Sequence, residues 1–149
     1  MGEGAARSAK KKTARHPRSV EKLSIVVFSG DYDRVHYALA MASAAAAIDK
    51  PVTLFFTMGA TRALLAPRPD GTPGWAGLEP PGDGGTPLTH DAARLQAGIG
   101  GFEELLVACA ELGVAFMVCE MGMRLARVVP ESLRADVPIA RVGIVTFLS

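Results

Sequence analysis

The sequence predicts an α/β fold: a mainly parallel sheet of four or five strands sandwiched between helices in three layers. Three observations predict it. Short runs rich in β-branched and aromatic residues recur at 23–28 (LSIVVF), 52–56 (VTLFF), 114–118 (VAFMV) and 142–148 (VGIVTFL), the pattern of strands buried on both faces. Stretches of helical period lie between them. The first two runs are separated by one helix-length segment, the spacing of a βαβ unit with parallel strands and a right-handed crossover. Alternation of this kind means one sheet clothed by its own crossovers. A chain of 149 residues holds one such domain with a real core and is too short for two ordinary ones.

Residues 1–22 are small, polar and basic. With so few large apolar side chains they cannot offset their ordering entropy, so they read as a disordered tail, with the domain at 23–149. Three consecutive lysines are the only hint that the tail is an arm for nucleic acid or acidic lipid. The run 23–28 reads as a buried central strand, and SGDYDR then leads into a helix over about 34–48 with Asp31 or Asp33 as N-cap. Lys50-Pro51 ends that helix. The strand 52–56 turns through Thr57-Met58-Gly59 into a short helix over 60–66.

Residues 67–87 break the pattern with six prolines and six glycines among 21 residues, Trp75 being their only large aromatic. Such density precludes a helix or a central strand. Two readings stay open: a lid or partner-docking segment anchored by Trp75, and a mobile insertion with no specific role. A short helix over 88–97, capped by Thr89, follows. Within 100–113, Phe102, Leu105, Leu106, Cys109 and Leu112 share one apolar helix face, with Gly113 as C-cap. After the strand 114–118 come a helix over 121–128, a helical turn at 130–133, a brief strand at 137–139 and a last strand at 142–148.

Composition narrows the function classes. Hydrophobic residues make up 49% of the chain but aromatics only 6%, and much of the apolar share is alanine, which suits close helix packing. The formal charge of +1 hides an asymmetry: residues 1–22 hold seven Lys/Arg against two acids, a net of +5 that leaves −4 for the rest. The folded part thus lacks the basic footprint of a nucleic-acid binder. Two cysteines, both in stretches that read as core or strand end, argue for a reducing cytoplasm over a disulfide framework. No secretory apolar region and no apolar run of spanning length is present. The expectation is a cytoplasmic protein with no nucleic-acid and no membrane partner.

Parallel sheets bind ligands beyond the carboxyl ends of their strands. Three such ends are Ser29-Gly30-Asp31, Thr57-Met58-Gly59 and Cys119-Glu120-Met121. If these strands are neighbours, Cys119 looks across at Ser29, Gly30, Asp31, Thr57 and Met58, with Glu120, Met121, Gly122 and Met123 opening the next helix. A cysteine at a strand-to-helix junction meets converging N–H groups and a positive dipole end, which favour thiolate over thiol. Cys109, on the apolar helix face, reads as a small core residue. His36 can reach the strand ends, although a structural histidine is the preferred reading. Cys119, Met121 and Met123 would suit a soft metal such as Cu(I), but their spacing reads as packing, so no metal is expected. Other chemistries lack their motifs. Gly98, Gly100 and Gly101 have no strand before them, and no GxxxxGK[ST], CxxC or hydrolase signature occurs. No cofactor is expected.

The order KLSIVVFSGDYDRVHYALAMASAAAAIDKPVTLFFTMGA, a variable middle, FEELLVACAELGVAFMVCEMGM and a terminal VGIVTFL resembles the DsrE/DsrF/DsrH-like sulfur-relay family, particularly its branch once labelled predicted peroxiredoxins. The SGD turn, the FFT after the second strand and the cysteine followed by Met-x-Met carry the resemblance. It implies a DsrE-like α/β sandwich, homo-oligomers such as trimers, tetramers or hexamers, and sulfur carried as a persulfide on the cysteine at position 119. Many members of that branch have a serine where this chain has Gly122. This chain also has a long insertion and no second near-surface cysteine to resolve a persulfide. The function expected is therefore a sulfur carrier or sulfurtransferase that takes sulfur from a donor and passes it to a partner thiol. The alternative is a non-catalytic oligomeric binding or assembly protein of the same fold. An independent peroxidase ranks third, because it needs a resolving thiol.

Overall fold

A computed structural model of the chain describes residues 21–82 and 84–149, so residues 1–20, most of the expected tail, lie outside the described residues. Four strands, β1 (Leu23–Val27), β2 (Val52–Phe56), β3 (Ala115–Cys119) and β4 (Ile139–Val142), pair in parallel in that spatial order. Helices α1 (Tyr32–Ala47), α2 (Pro87–Gln96), α3 (Phe102–Glu111), α4 (Glu120–Leu125) and α5 (Ile144–Leu148) flank the sheet. The fold is the α/β sandwich that the alternation of runs predicts.

Each crossover steps one strand further in the same direction. Right-handed connections then put α1, α3 and α4 on one face. There Val27, Leu54, Phe56, Phe116 and Val118 meet Leu39, Leu106, Cys109 and Met123 in a continuous core. Alternation sends Val26, Phe55 and Met117 to the opposite face. Among the described residues α5 is the helix that reaches that face, by stacking Phe147 on Phe55 with ring centroids 4.3 Å apart.

Several elements differ from expectation. β1 is an edge strand and not a central one, and its burial alternates where that of β2 is continuous. Residues 142–148 do not form a last strand: β4 ends at Val142, and Ile144–Leu148 is helical after Gly143. A short apolar run satisfies either period, and here pairing of 139–142 with β3 uses the available sheet edge first. Residues 58–64 form a 3₁₀ segment instead of an α-helix, closed by the Thr61 hydroxyl donating to the Met58 carbonyl at 2.8 Å. Thr86, not Thr89, caps α2, with Thr89 completing the capping box. α1 starts at Tyr32 with Asp31 as its cap, and Leu112 is exposed beyond the end of α3.

The Pro/Gly insertion is built into the domain. Trp75 is 3% exposed, stacks on Phe102 at 4.7 Å and donates its indole N–H to Glu103 at 3.1 Å. It fills its own core and is not an anchor for a partner. Arg134 grips Glu103 through two nitrogens, at 3.1 and 2.5 Å, and Asp136 through two more contacts at 2.8 Å. The hydrogen bonds from Arg134 hold both carboxyls below their usual range. Glu79 then straps the insertion to the end of β1: its N–H donates to the Gly30 carbonyl, and its carbonyl accepts from the Tyr32 N–H, both at 2.8 Å.

Candidate functional site

Because β1, β2 and β3 are neighbours, their carboxyl ends lie side by side. Gly30 and Gly59 touch through their backbones; a Cβ on either would fall 3.0 to 3.2 Å from the other's main chain. The approach of α4 to β2 is closer. A Cβ on Gly122 would overlap the Thr57 hydroxyl and lie 2.6 Å from the Met58 nitrogen. Position 122 therefore takes glycine: the volume of any larger side chain is already occupied by Thr57 and Met58. Met58 turns the chain with a left-handed φ of 51°, sparsely populated for a non-glycine residue.

Cys119 ends β3 and is the N-cap of α4. Its sulfur accepts the Gly122 N–H at 3.4 Å. The residue is 1% exposed, yet it is no member of the continuous core, since alternation turns it away from Val118. Register places Thr57 next to it, one step beyond the Phe56–Val118 pair. Thr57 is 8% exposed. Its N–H continues the ladder to the Val27 carbonyl at 2.9 Å, while its hydroxyl has no hydrogen-bond partner among the described residues. Two polar side chains, one thiol and one free hydroxyl, thus converge on Gly122.

The other site residues divide. The Ser29 hydroxyl accepts the Asp31 N–H at 3.0 Å, and the Asp31 carboxylate accepts from the N–H groups of Asp33 at 2.9 Å and Arg34 at 3.3 Å. Both side chains are thereby used to shape the turn and cap α1. Glu120 and Met121 point to solvent, whereas Met123 enters the core. That opposite placement of Met121 and Met123 leaves Cys119 without the paired thioethers of a soft-metal site. No group of three or more metal-binding His, Cys, Asp or Glu side chains occurs among the described residues. His36 is buried on α1 with Nε2 against the Gly100 carbonyl at 2.8 Å, so it belongs to the α1–α3 side and does not join Cys119.

A cleft of about 110 Å³ beside α4 is lined by Glu120, Met123, Arg124, Val128 and Pro130. Cys119 is not among its walls. The Arg62 guanidinium, unforeseen from the sequence, donates to the Ala126 carbonyl at 3.3 Å and ties the end of α4 to the 58–64 turn. A lone arginine in a short turn carries no signal for that role. Gly59, read from sequence only as part of the turn after β2, lies within the 58–64 segment and makes the close backbone approach to Gly30.

Cys109 has a different setting. It is fully buried on α3, its thiol donates to the Leu39 carbonyl at 3.4 Å, and burial pushes its pKa up to about 11. No helix among the described residues is long and apolar enough to cross a membrane. The chain matches no family model and no curated protein sequence.

Proposed function

We propose that this chain is a sulfur carrier of the DsrE-like kind, with Cys119 holding sulfane sulfur as a persulfide. One observation carries the reading: the Cys119 sulfur is an acceptor, taking the Gly122 N–H at 3.4 Å at the joined ends of three parallel strands. An acceptor position suits an anionic sulfur, because hydrogen bonds from N–H groups strengthen when the acceptor is charged. In the loading step the Cys119 thiolate attacks the outer sulfur of a donor persulfide, RS–S⁻. A new S–S bond forms, the donor's S–S bond breaks, and RS⁻ departs with the electron pair, leaving Cys119–S–S⁻. An acceptor thiolate repeats the attack on the outer sulfur and releases Cys119 as thiolate. Donor and acceptor are proteins or small thiols, and no oxidant is consumed. Access requires the exposed first turn of α4, with Glu120 and Met121, to move aside.

The near-complete burial of Cys119 favours a second reading, a non-catalytic, oligomeric binding or assembly protein of the same fold. Incubation with polysulfide, alkylation and mass spectrometry separate the two. The carrier reading expects added sulfur on Cys119, none on Cys109, and loss of loading in Cys119→Ala but not in Cys109→Ala. A Cys119 that stays unmodified and inert to iodoacetamide at neutral pH leaves the assembly reading.

A further inference from the structure

We infer that Arg62 is a positioning residue for Cys119, holding the Gly122 N–H on its sulfur from the far end of α4. The inference deepens the carrier reading and rests on it. α4 has six residues, too few for a helix to stand alone in water, and Met123 is its side chain in the continuous core. Its order therefore depends on how its two ends are held. Cys119 fixes the start as N-cap. At the other end Nη2 of Arg62 donates to the Ala126 carbonyl at 3.3 Å, where a cation also meets the negative end of the helix dipole.

A chain of peptide groups joins the two ends. The Ala126 carbonyl shares its peptide with the Arg127 N–H, which donates to the Arg124 carbonyl at 3.1 Å. That carbonyl shares its peptide with the Leu125 N–H, whose α-helical partner is the Met121 carbonyl. The Met121 carbonyl in turn shares its peptide with the Gly122 N–H, which donates to Cys119 Sγ at 3.4 Å. From guanidinium to sulfur, every donor points the same way. Each bond polarises the next, so the charge on Arg62 makes the Gly122 N–H a better donor to an anionic sulfur.

The setting of Arg62 suits this role. It is half-buried and has no carboxylate partner among the described residues to draw it off the carbonyl. Its Nη1 lies beside the joined strand ends, 3.7 Å from where a Cβ on Gly59 would stand. Arg124 and Arg127, the other cations of this segment, are exposed. Anchoring at the far end leaves the first turn of α4 free to move for access and returns the Gly122 N–H to the same sulfur.

Amide NMR of the full chain and polysulfide loading of Cys119, followed by mass spectrometry, test the inference. In the wild type the Gly122 amide is expected to be protected from exchange, and a labile one overturns the inference without any variant. Arg62→Met keeps the stem and removes the donors. Its expected result is a Gly122 amide proton shifted upfield and loading slowed about tenfold, the effect of weakening one hydrogen bond to a charged sulfur. Arg62→Lys, which keeps the charge, is expected to restore the Gly122 signal and most of the rate. Cys109 inert to iodoacetamide in both variants shows an intact core. A Gly122 amide that ignores Arg62→Met overturns the inference, as does loading at the wild-type rate. Faster loading overturns it too, by making Arg62 a bar across Cys119. A wild type that takes up no sulfur sinks the carrier reading instead, and the Gly122 shift alone then decides whether Arg62 acts on Cys119.

Discussion

Cys109 and Cys119 are both buried, at 0% and 1% exposure, and both are free thiols, yet their hydrogen bonds have opposite polarity. The Cys109 thiol donates to a carbonyl, and the Cys119 sulfur accepts from an amide. A thiolate at 109 would face the negative end of a C=O dipole inside a continuous core. At 119 it would face the positive end of an N–H outside that core. Burial alone does not separate the two cysteines here; the direction of one hydrogen bond does.

The largest effect that sharpens this contrast comes from pH. Burial raises the Cys109 pKa from 9.0 to about 11, so the folded state holds its proton more tightly than the unfolded chain. Stability is complete below pH 9 and falls as pH rises toward about 11, by on the order of 2–3 kcal/mol. Tyr32, whose pKa is raised by burial and by its bond to Asp91, adds to the same alkaline loss. Denaturant titrations across that window are therefore run on the wild type and on Cys109→Ala. The difference in slope isolates the cysteine, and parallel curves would show that its burial does not matter. Next in size is Gly122→Ser, which forces a side chain into the space of the Thr57 hydroxyl and the Met58 amide. Overpacking against backbone is expected to cost about 1–3 kcal/mol. An unchanged midpoint in a urea melt would mean that α4 and β2 are not in close contact.

The sheet was legible because its signal is repeated: three apolar runs, at 23–28, 52–56 and 114–118, and a βαβ spacing point to parallel strands, and β2 and β3 fall where their patterns put them. Cys119 at a strand end was readable in the same way. What could not be read is the choice between alternatives of equal local merit. Residues 144–148 satisfy a strand or a helix, and tertiary pairing of β4 decides it. Thr86 and Thr89 are both good caps, and the one preceding Pro87 wins because proline fits the first turn. The insertion looked loose because prolines and glycines conceal long-range bonds; the Arg134 grip on Glu103 spans 31 residues and leaves no trace in local pattern. The close approach of α4 to Thr57 and Met58 follows from a missing side chain at Gly122 and leaves no local pattern of its own.

Serine swaps are expected to give effects of opposite sign at the two cysteines. Cys109→Ser puts a hydroxyl into an apolar core and is expected to destabilise by about 1 kcal/mol even with the Leu39 carbonyl available. Cys119→Ser places a good N-cap residue at the start of α4, where the Gly122 N–H awaits an oxygen, and is expected to stabilise by about 0.5–1 kcal/mol. Thermal or urea melts of the two variants check both signs. Two losses of equal size would collapse the distinction, since both sulfurs would then be acting as core packing.

The smallest effect concerns Thr57. Thr57 is 8% exposed and its hydroxyl has no partner among the described residues, so burial of the hydroxyl carries a desolvation cost without a compensating bond. Replacing it by the isosteric methyl in Thr57→Val removes that cost while keeping the shape that Gly122 packs against. Stability is then expected to be unchanged or higher by up to about 1 kcal/mol, the opposite of what loss of a structural hydrogen bond would do. If Cys119 carries sulfur, the same variant is expected to slow loading, because the hydroxyl beside Gly122 is a donor with no partner among the described residues. Cys109 alkylation in unfolded protein serves as the internal reference for that rate. A Thr57→Val that loses stability would mean that the hydroxyl is bonded in solution, and that the strand-end cluster is as fully satisfied as the core around Cys109.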